Sequence, residues 1–149
     1  MPLVKFSVNA VAENPTRTSV EARNFRFIVD EPENLGGTDD GPNPVEYVLG
    51  ALAGCLNVVG HLIAGEMGFE LRGLDISIEG ELDPSKFSGQ PTDARAGYQS
   101  VRAILKPDTD ADQDTIDKWV KAVNERCPVS DNIANATPVT IEAKKQPNL

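Results

Sequence analysis

Gly41-Pro42-Asn43-Pro44-Val45-Glu46-Tyr47-Val48-Leu49-Gly50-Ala51-Leu52-Ala53-Gly54-Cys55 is the stretch on which the reading of this chain turns. It has the make-up of a helix start that leads into an apolar helix carrying a thiol. Asn43 can accept from the free N–H groups of a first turn, and Pro44 suits the first helical position, where a missing N–H costs nothing. Glu46 follows Asn43 by three residues, the spacing of a capping box. Apolar residues then continue through Leu56, Val58, Val59, Leu62 and Ile63 to about Met67, on nearly every side and without Lys or Arg. A helix of that kind, in a chain read as having no membrane-length span, is expected at the centre of a domain. Gly50, Gly54, Gly60 and Gly65 each cost roughly 1 kcal/mol against Ala in a helix. Their presence points to a close backbone approach, by another helix or by a second copy of this one.

Composition sets the frame around that helix. With 149 residues the expectation is one domain covering 1–149. Hydrophobic content of 40% and charged content of 25% are those of an ordinary soluble globular protein. A formal net charge of −9 argues against nucleic acid and anionic membrane surfaces as partners. Met1-Pro2-Leu3-Val4-Lys5 lacks the charged-then-apolar layout of a secretion signal, so a cytoplasmic location is expected. Two cysteines do not make a disulfide-rich scaffold. In a reducing compartment such a pair is structural, metal-binding or redox-active.

Upstream of the helix, Val4, Phe6, Val8 and Ala10 alternate with Lys5, Ser7 and Asn9, which predicts a half-buried strand over 4–13. Asn14-Pro15-Thr16 reads as a turn, Arg17 to Arg23 as a second strand and Phe25 to Val29 as a third, together an antiparallel meander. Residues 30–42 read as a loop. Downstream, Leu74, Ile76, Ile78 and Leu82 alternate with Asp75, Ser77, Glu79 and Glu81 in a fourth strand, and Tyr98 to Lys106 forms its hairpin partner across a mobile loop over 83–97. Pro107 to Asp112 gives an acidic helix start, and Ile116, Trp119, Val120 and Val123 form one apolar stripe on a helix ending near Arg126. Pro128 opens a short helix with Cys127 at its cap, and Val139 to Lys144 alternates as a last strand. The order βββ-α-ββ-α-α-β is that of an α+β fold, not of a parallel βαβ sheet.

Seventy-two positions separate Cys55 from Cys127, so there is no local Cys-x-x-Cys redox motif. A cysteine reacts as its thiolate, which helix N-termini and adjacent cations favour. Cys127 is placed at such an N-terminus; Cys55 would need a cation from elsewhere, with Arg17 and Arg23 as candidates. The bland alternative is a pair of inert core thiols. His61, the one histidine, stands six residues after Cys55 and on a different helical face, which disfavours a nucleophile–base pair. Two Cys and one His fall short of a four-ligand zinc site, and the acidic runs hold no calcium-loop pattern, so neither a metal nor an organic cofactor is expected. Ser130 has no His in a recognisable motif with it.

The stretch from Gly41 to Cys55 resembles the helix signature of the OsmC/Ohr family of peroxide-detoxifying proteins, in which an Asn/Ser/Thr-Pro start and a small, apolar run lead to the reactive Cys. Arg126-Cys127-Pro128-Val129-Ser130 is similar to that family's second cysteine segment, and the element order matches over nearly the whole chain. The likeness is greater to the OsmC-like branch than to the hydroperoxide resistance branch, where Glu directly follows the Pro; here Val45 stands there and Glu46 comes one later. The resemblance implies a thiol peroxidase acting on an organic or inorganic hydroperoxide. Cys55 would be the peroxidatic thiolate and Cys127 the resolving thiol, forming an intramolecular disulfide that a dithiol reductant reopens. It also implies an arginine from the first hairpin, which Arg17 matches most closely with Arg23 as the alternative, and an intertwined homodimer with active sites at its interface. Glu46 takes either a catalytic or a capping role. Nine residues from Cys55, it lies about 13 Å along the axis on the other side of the helix, which favours the cap.

Three functions are therefore carried forward. The first is a cysteine-based hydroperoxide reductase with a role in oxidative stress. The second is a non-enzymatic protein of the same fold that binds a small apolar ligand at a dimer groove. The third is a disulfide-exchange protein, against which the buried setting expected for Cys55 counts.

Overall fold

The computed structural model describes residues 1–147. The chain divides into two units, Met1–Ala53 with Ser77–Ile104, and Gly54–Ile76 with Leu105 onward.

In the first unit, β1 (Asn9–Ala12), β2 (Thr18–Ala22) and β3 (Phe25–Val29) form an antiparallel meander in sequence order. Asn14 shapes the first turn: its Oδ1 accepts from the N–H groups of Thr16 and Arg17 at 2.9 and 2.6 Å. Arg23 makes the second turn at φ 56°, with its guanidinium 4.9 Å above the Phe25 ring. The first strand is shorter than the alternation over 4–13 predicts. Asn9 pairs with Glu21, and β2 ends one residue later at Ala22, so Val8 meets only the last residue of β2 and everything before it runs past the end of its partner. Val4, Phe6 and Val8 are left exposed.

The segment over 30–42 is pinned rather than loose. Asp30 is fully buried, and its carboxylate accepts from Glu31 N–H, Asp40 N–H and the Thr38 hydroxyl. Burial pushes this carboxyl up, but the hydrogen bonds outweigh it and hold the group well below the usual carboxylate range. Gly41 is required here because a Cβ would sit 2.4 Å from the Ile28 carbonyl oxygen. Tyr47, in the first turn of helix α1 (Pro44–Met67), donates its hydroxyl to the same carbonyl at 2.6 Å and stacks at a tilt on Phe27.

Helix α1, with β4 (Gly73–Leu82) and β5 (Tyr98–Asp108), which pair in a two-stranded sheet, runs through both units. β5 extends past Pro107, which an edge position tolerates because no ladder N–H is needed there. The second unit adds α2 (Gln113–Arg126), capped by Asp112 through Thr115 N–H at 2.9 Å, and α3 (Pro128–Ala134). Trp119 and Val123 of α2 are buried, whereas Val120 is 42% exposed and lies off the stripe. Trp119 seats on α1, donating its indole N–H to the Gly60 carbonyl at 2.8 Å with the edge of Phe69 beside it.

Two expectations are corrected. First, α1 is buried on one stripe only, comprising Leu52, Leu56, Val59, Ile63 and Ala64. Val58 and Leu62 on its other side are 66% and 53% exposed, because one chain supplies a cover for one side only; Val48, one turn before Leu52 on the stripe itself, is 40% exposed. Its 24 residues, with mean hydropathy 1.8 in an 18-residue window, also reach membrane-spanning dimensions by length and composition, contrary to the reading of the sequence. The seat of Trp119 on its backbone is that of a core helix. Second, Val139 to Lys144 forms no strand among the described residues. Alternation marks a face but supplies no partner strand, and Val139 and Ile141 stay exposed. The architecture is α+β with antiparallel sheets.

Candidate active site

The capping box at the start of α1 is formed in full. Asn43 N–H donates to Glu46 Oε1 at 2.8 Å, and Glu46 N–H donates to Asn43 Oδ1 at 2.9 Å. This fixes where the helix begins, and so the face on which its twelfth residue, Cys55, emerges. Cys55 is half-buried, next to the buried Leu56 on the margin of the packed stripe.

Cys127 is placed by two helices at once. It ends α2 and caps α3, with φ −80° and ψ 110° and Pro128 at the first helical position. Its sulfur accepts from Ser130 N–H at 3.4 Å, and its carbonyl accepts from Asp131 N–H at 3.0 Å. The residue is 1% exposed. Both cysteines are free thiols, and the Cys127 S–H donates to Cys55 Sγ across 3.0 Å. A disulfide needs about 2.05 Å. The two sulfurs, from opposite parts of the sequence, thus lie within roughly 1 Å of bonding distance.

Burial, and next its donation to Cys55, push the Cys127 thiol up; the Ser130 N–H pulls it down by less. Cys127 therefore keeps its proton at neutral pH and presents it to Cys55. The pair can accept two electrons' worth of oxidation without any other group.

The other residues singled out in the sequence are bonded elsewhere. Arg17 donates to Glu13 at 3.1 Å and to Asp40 at 2.5 Å; hydrogen bonds, Asp40's first, push its guanidinium up further. Arg23 forms the β2–β3 turn. Glu46 serves the cap. His61 is exposed, with Nδ1 3.0 Å from the Asn57 carbonyl, which selects the Nδ1–H tautomer. One residue that the sequence reading passed over is Arg126, the neighbour of Cys127, which grips Glu66 of α1 with both terminal nitrogens at 2.5 and 3.2 Å. Its adjacency to Cys127 was the available signal.

A sequence model of OsmC-like protein matches residues 37–142, a span that includes both cysteines. No curated protein sequence matches the chain. Among solved structures, an OsmC-like protein from Mycoplasma pneumoniae superposes with a TM-score of 0.77 at 20% identity, covering 88% of each chain. An organic hydroperoxide resistance protein OsmC from Legionella pneumophila gives 0.64 at 19% identity, covering 89% of this chain and 91% of its own. An organic hydroperoxide resistance protein from Elizabethkingia anophelis gives 0.63 at 16% identity, covering 87% and 88%. These likenesses establish the fold, and the matched span establishes descent: the chain belongs to the OsmC-like protein family.

Proposed function

We propose that the protein is a cysteine-based hydroperoxide reductase, with Cys55 peroxidatic and Cys127 resolving. The observation that carries the reading is the 3.0 Å approach of two free thiols 72 residues apart. Hydroperoxide resistance proteins among the structural relatives support the substrate class. In the first step the Cys55 thiolate attacks the distal peroxide oxygen. The S–O bond forms, the O–O bond breaks, and the alkoxide leaves as alcohol after taking a proton; Cys55 becomes a sulfenic acid. In the second step Cys127 sulfur attacks the Cys55 sulfur. The S–S bond forms, the S–O bond breaks, and hydroxide leaves as water with the Cys127 proton. A dithiol reductant then opens the disulfide by exchange and is itself oxidised. A neighbouring resolving thiol captures the sulfenic acid before irreversible oxidation. In this reading Arg17 or Arg23 supplies the cation for Cys55, and Glu46 acts through the start of α1. The working unit is a homodimer whose second copy covers the outer face of α1 and pairs with the end segments.

The test is a thiol count on reduced protein after rapid mixing with cumene hydroperoxide or hydrogen peroxide. Two thiols should disappear per chain, and Cys55→Ser should abolish the loss. An unchanged count under excess peroxide overturns the proposal.

The non-enzymatic reading, a carrier of a small apolar ligand, is favoured by one observation, the uncovered Val48, Val58 and Leu62 on α1. It requires thiols that stay inert to mild alkylation in the native protein while an apolar fluorophore binds and is displaced by fatty acyl ligands.

A further inference from the structure

Three polar tethers join α2 to α1. Trp119 N–H to the Gly60 carbonyl holds the middle of α2, Cys127 meets Cys55, and Arg126 forks onto Glu66. The helical ladder of α2 ends at Arg126, and Cys127 sits in extended backbone. The place of its sulfur therefore depends on the residues flanking it. On the α3 side Ser130 holds it, through its N–H to the sulfur and its hydroxyl to Asn124 Oδ1 at 3.0 Å. On the α2 side the hold is Arg126. Its acceptor, Glu66, follows Cys55 by eleven residues on α1, which places the two on one face about 16 Å apart. The helix edge that presents Cys55 thus also carries the group that receives Arg126. A two-pronged guanidinium–carboxylate pair sets orientation as well as distance.

We propose that Arg126 is a positioning residue: its fork onto Glu66 holds the α2–α3 junction against α1 so that Cys127 is in line to attack an oxidised Cys55. This rests on the peroxidase reading above, in its second step. Arg126 and Glu66 are each about half exposed, so the pair contributes little to global stability. Its effect falls on the geometry of one encounter, and reaction rates are steep in ångström-scale misplacement.

The experiment separates the two steps. Sulfenic acid at Cys55 is trapped with dimedone and weighed by mass spectrometry, while disulfide formation is followed through the fluorescence of Trp119. For Arg126→Ala and Glu66→Ala the sulfenylation rate should be unchanged and disulfide formation should slow about tenfold, so that trapped sulfenic acid accumulates. The swap of Arg126→Glu with Glu66→Arg should recover most of the rate, and Arg126→Lys should fall between, since an ammonium cannot fork. Salt near 1 M should slow resolution in the native protein and leave Arg126→Ala unaffected. Equal slowing of both steps with no recovery in the swap would mark a merely structural pair and overturn the proposal, as would an unchanged disulfide rate. The same variants are equilibrated with oxidised and reduced dithiothreitol, without peroxide. A native protein that forms the disulfide there but no sulfenic acid with peroxide refutes the peroxidase reading. A rate of disulfide closing by oxidised dithiothreitol equal in native and Arg126→Ala protein refutes the positioning.

Discussion

Gly60→Ala tests whether Trp119 is the piece that registers α2 on α1. A Cβ built at Gly60 lies 3.0 Å from Trp119 Cζ2 and 3.5 Å from Leu74 Cδ2. Carbon atoms pack at about 3.5–4.0 Å, so the leucine contact is ordinary and the indole contact is short by roughly half an ångström. The indole has little room to retreat. It is 0% exposed, and any retreat lengthens its 2.8 Å hydrogen bond to the same residue's carbonyl. Overpacking of this kind costs about 1–3 kcal/mol, while Ala in place of Gly within a helix returns about 1 kcal/mol. The net expectation is a loss of about 0–2 kcal/mol. Gly65→Ala is the control within one chain: no atom of the chain lies within 4 Å of its Cβ, so unless a second copy packs there only the helix-propensity gain remains. The two variants should therefore differ by about 1–3 kcal/mol, or several degrees in melting temperature at roughly 2–4 °C per kcal/mol. Urea unfolding under reducing conditions, at matched protein concentration and read from the single tryptophan, measures the difference. Gly60→Ala should also slow the closing of the disulfide, since a displaced Trp119 carries α2 and Cys127 with it. A Gly60→Ala protein as stable as Gly65→Ala, with an unchanged closing rate, would refute the seating of Trp119 as the source of the register.

Other outcomes follow from the same geometry. Because the folded state holds the Asp30 carboxyl below its unfolded range, its contribution to stability is fully present above about pH 4 and is lost as pH falls below that. Asp30→Asn should flatten the acid limb of a stability–pH profile; an unchanged limb refutes the assignment. Disulfide closing in single turnover should keep accelerating as pH rises past 9, the ordinary value from which the Cys127 thiol is raised; a plateau near neutrality would count against Cys127 as the proton-bearing sulfur. If an arginine of the first hairpin serves Cys55 as proposed, Arg17→Ala or Arg23→Gly should slow its alkylation, and normal alkylation in both removes that part of the proposal; Arg23→Gly should in addition relieve the turn at φ 56°. Val58→Arg should convert a dimer to monomer in sedimentation at micromolar protein if a second copy covers α1. A native protein that sediments as a monomer removes that part of the proposal.

What could be read from the residues was mostly local chemistry. Asn43, Pro44 and Glu46 announced the start of α1, and the box they form is present bond for bond. Pro128 announced α3 and so the junction that carries Cys127. The period-two runs gave the meander, because each strand finds its partner a turn away. The misses share a cause. Val4 to Val8 and Val139 to Lys144 alternate like strands, but pairing needs a neighbour that this chain does not put beside them. Asp30 follows a strand like any loop residue; nothing local says that it is buried and ringed by donors. Arg126 and Glu66 meet across 60 positions, and no periodicity links them. Family likeness brought Cys55 and Cys127 into one hypothesis; their distance could come only from the way α2 folds back on α1.

The four glycines of α1 show how that helix divides its obligations. Gly60 lets an indole approach the backbone from within the chain, and a Cβ there would collide. Gly50, Gly54 and Gly65 have open space around them, so nothing in this chain requires them. Each still costs about 1 kcal/mol of helix stability against Ala. They share the helix with the exposed Val48, Val58 and Leu62, and a monomer gains nothing from leaving such side chains in water. Small residues among exposed aliphatics on a long helix are what close helix–helix contact asks for. A second copy of α1 would meet that demand. On this view Cys55, at the border between the stripe covered from within and the face left open, sits where a substrate arriving between two copies would find it.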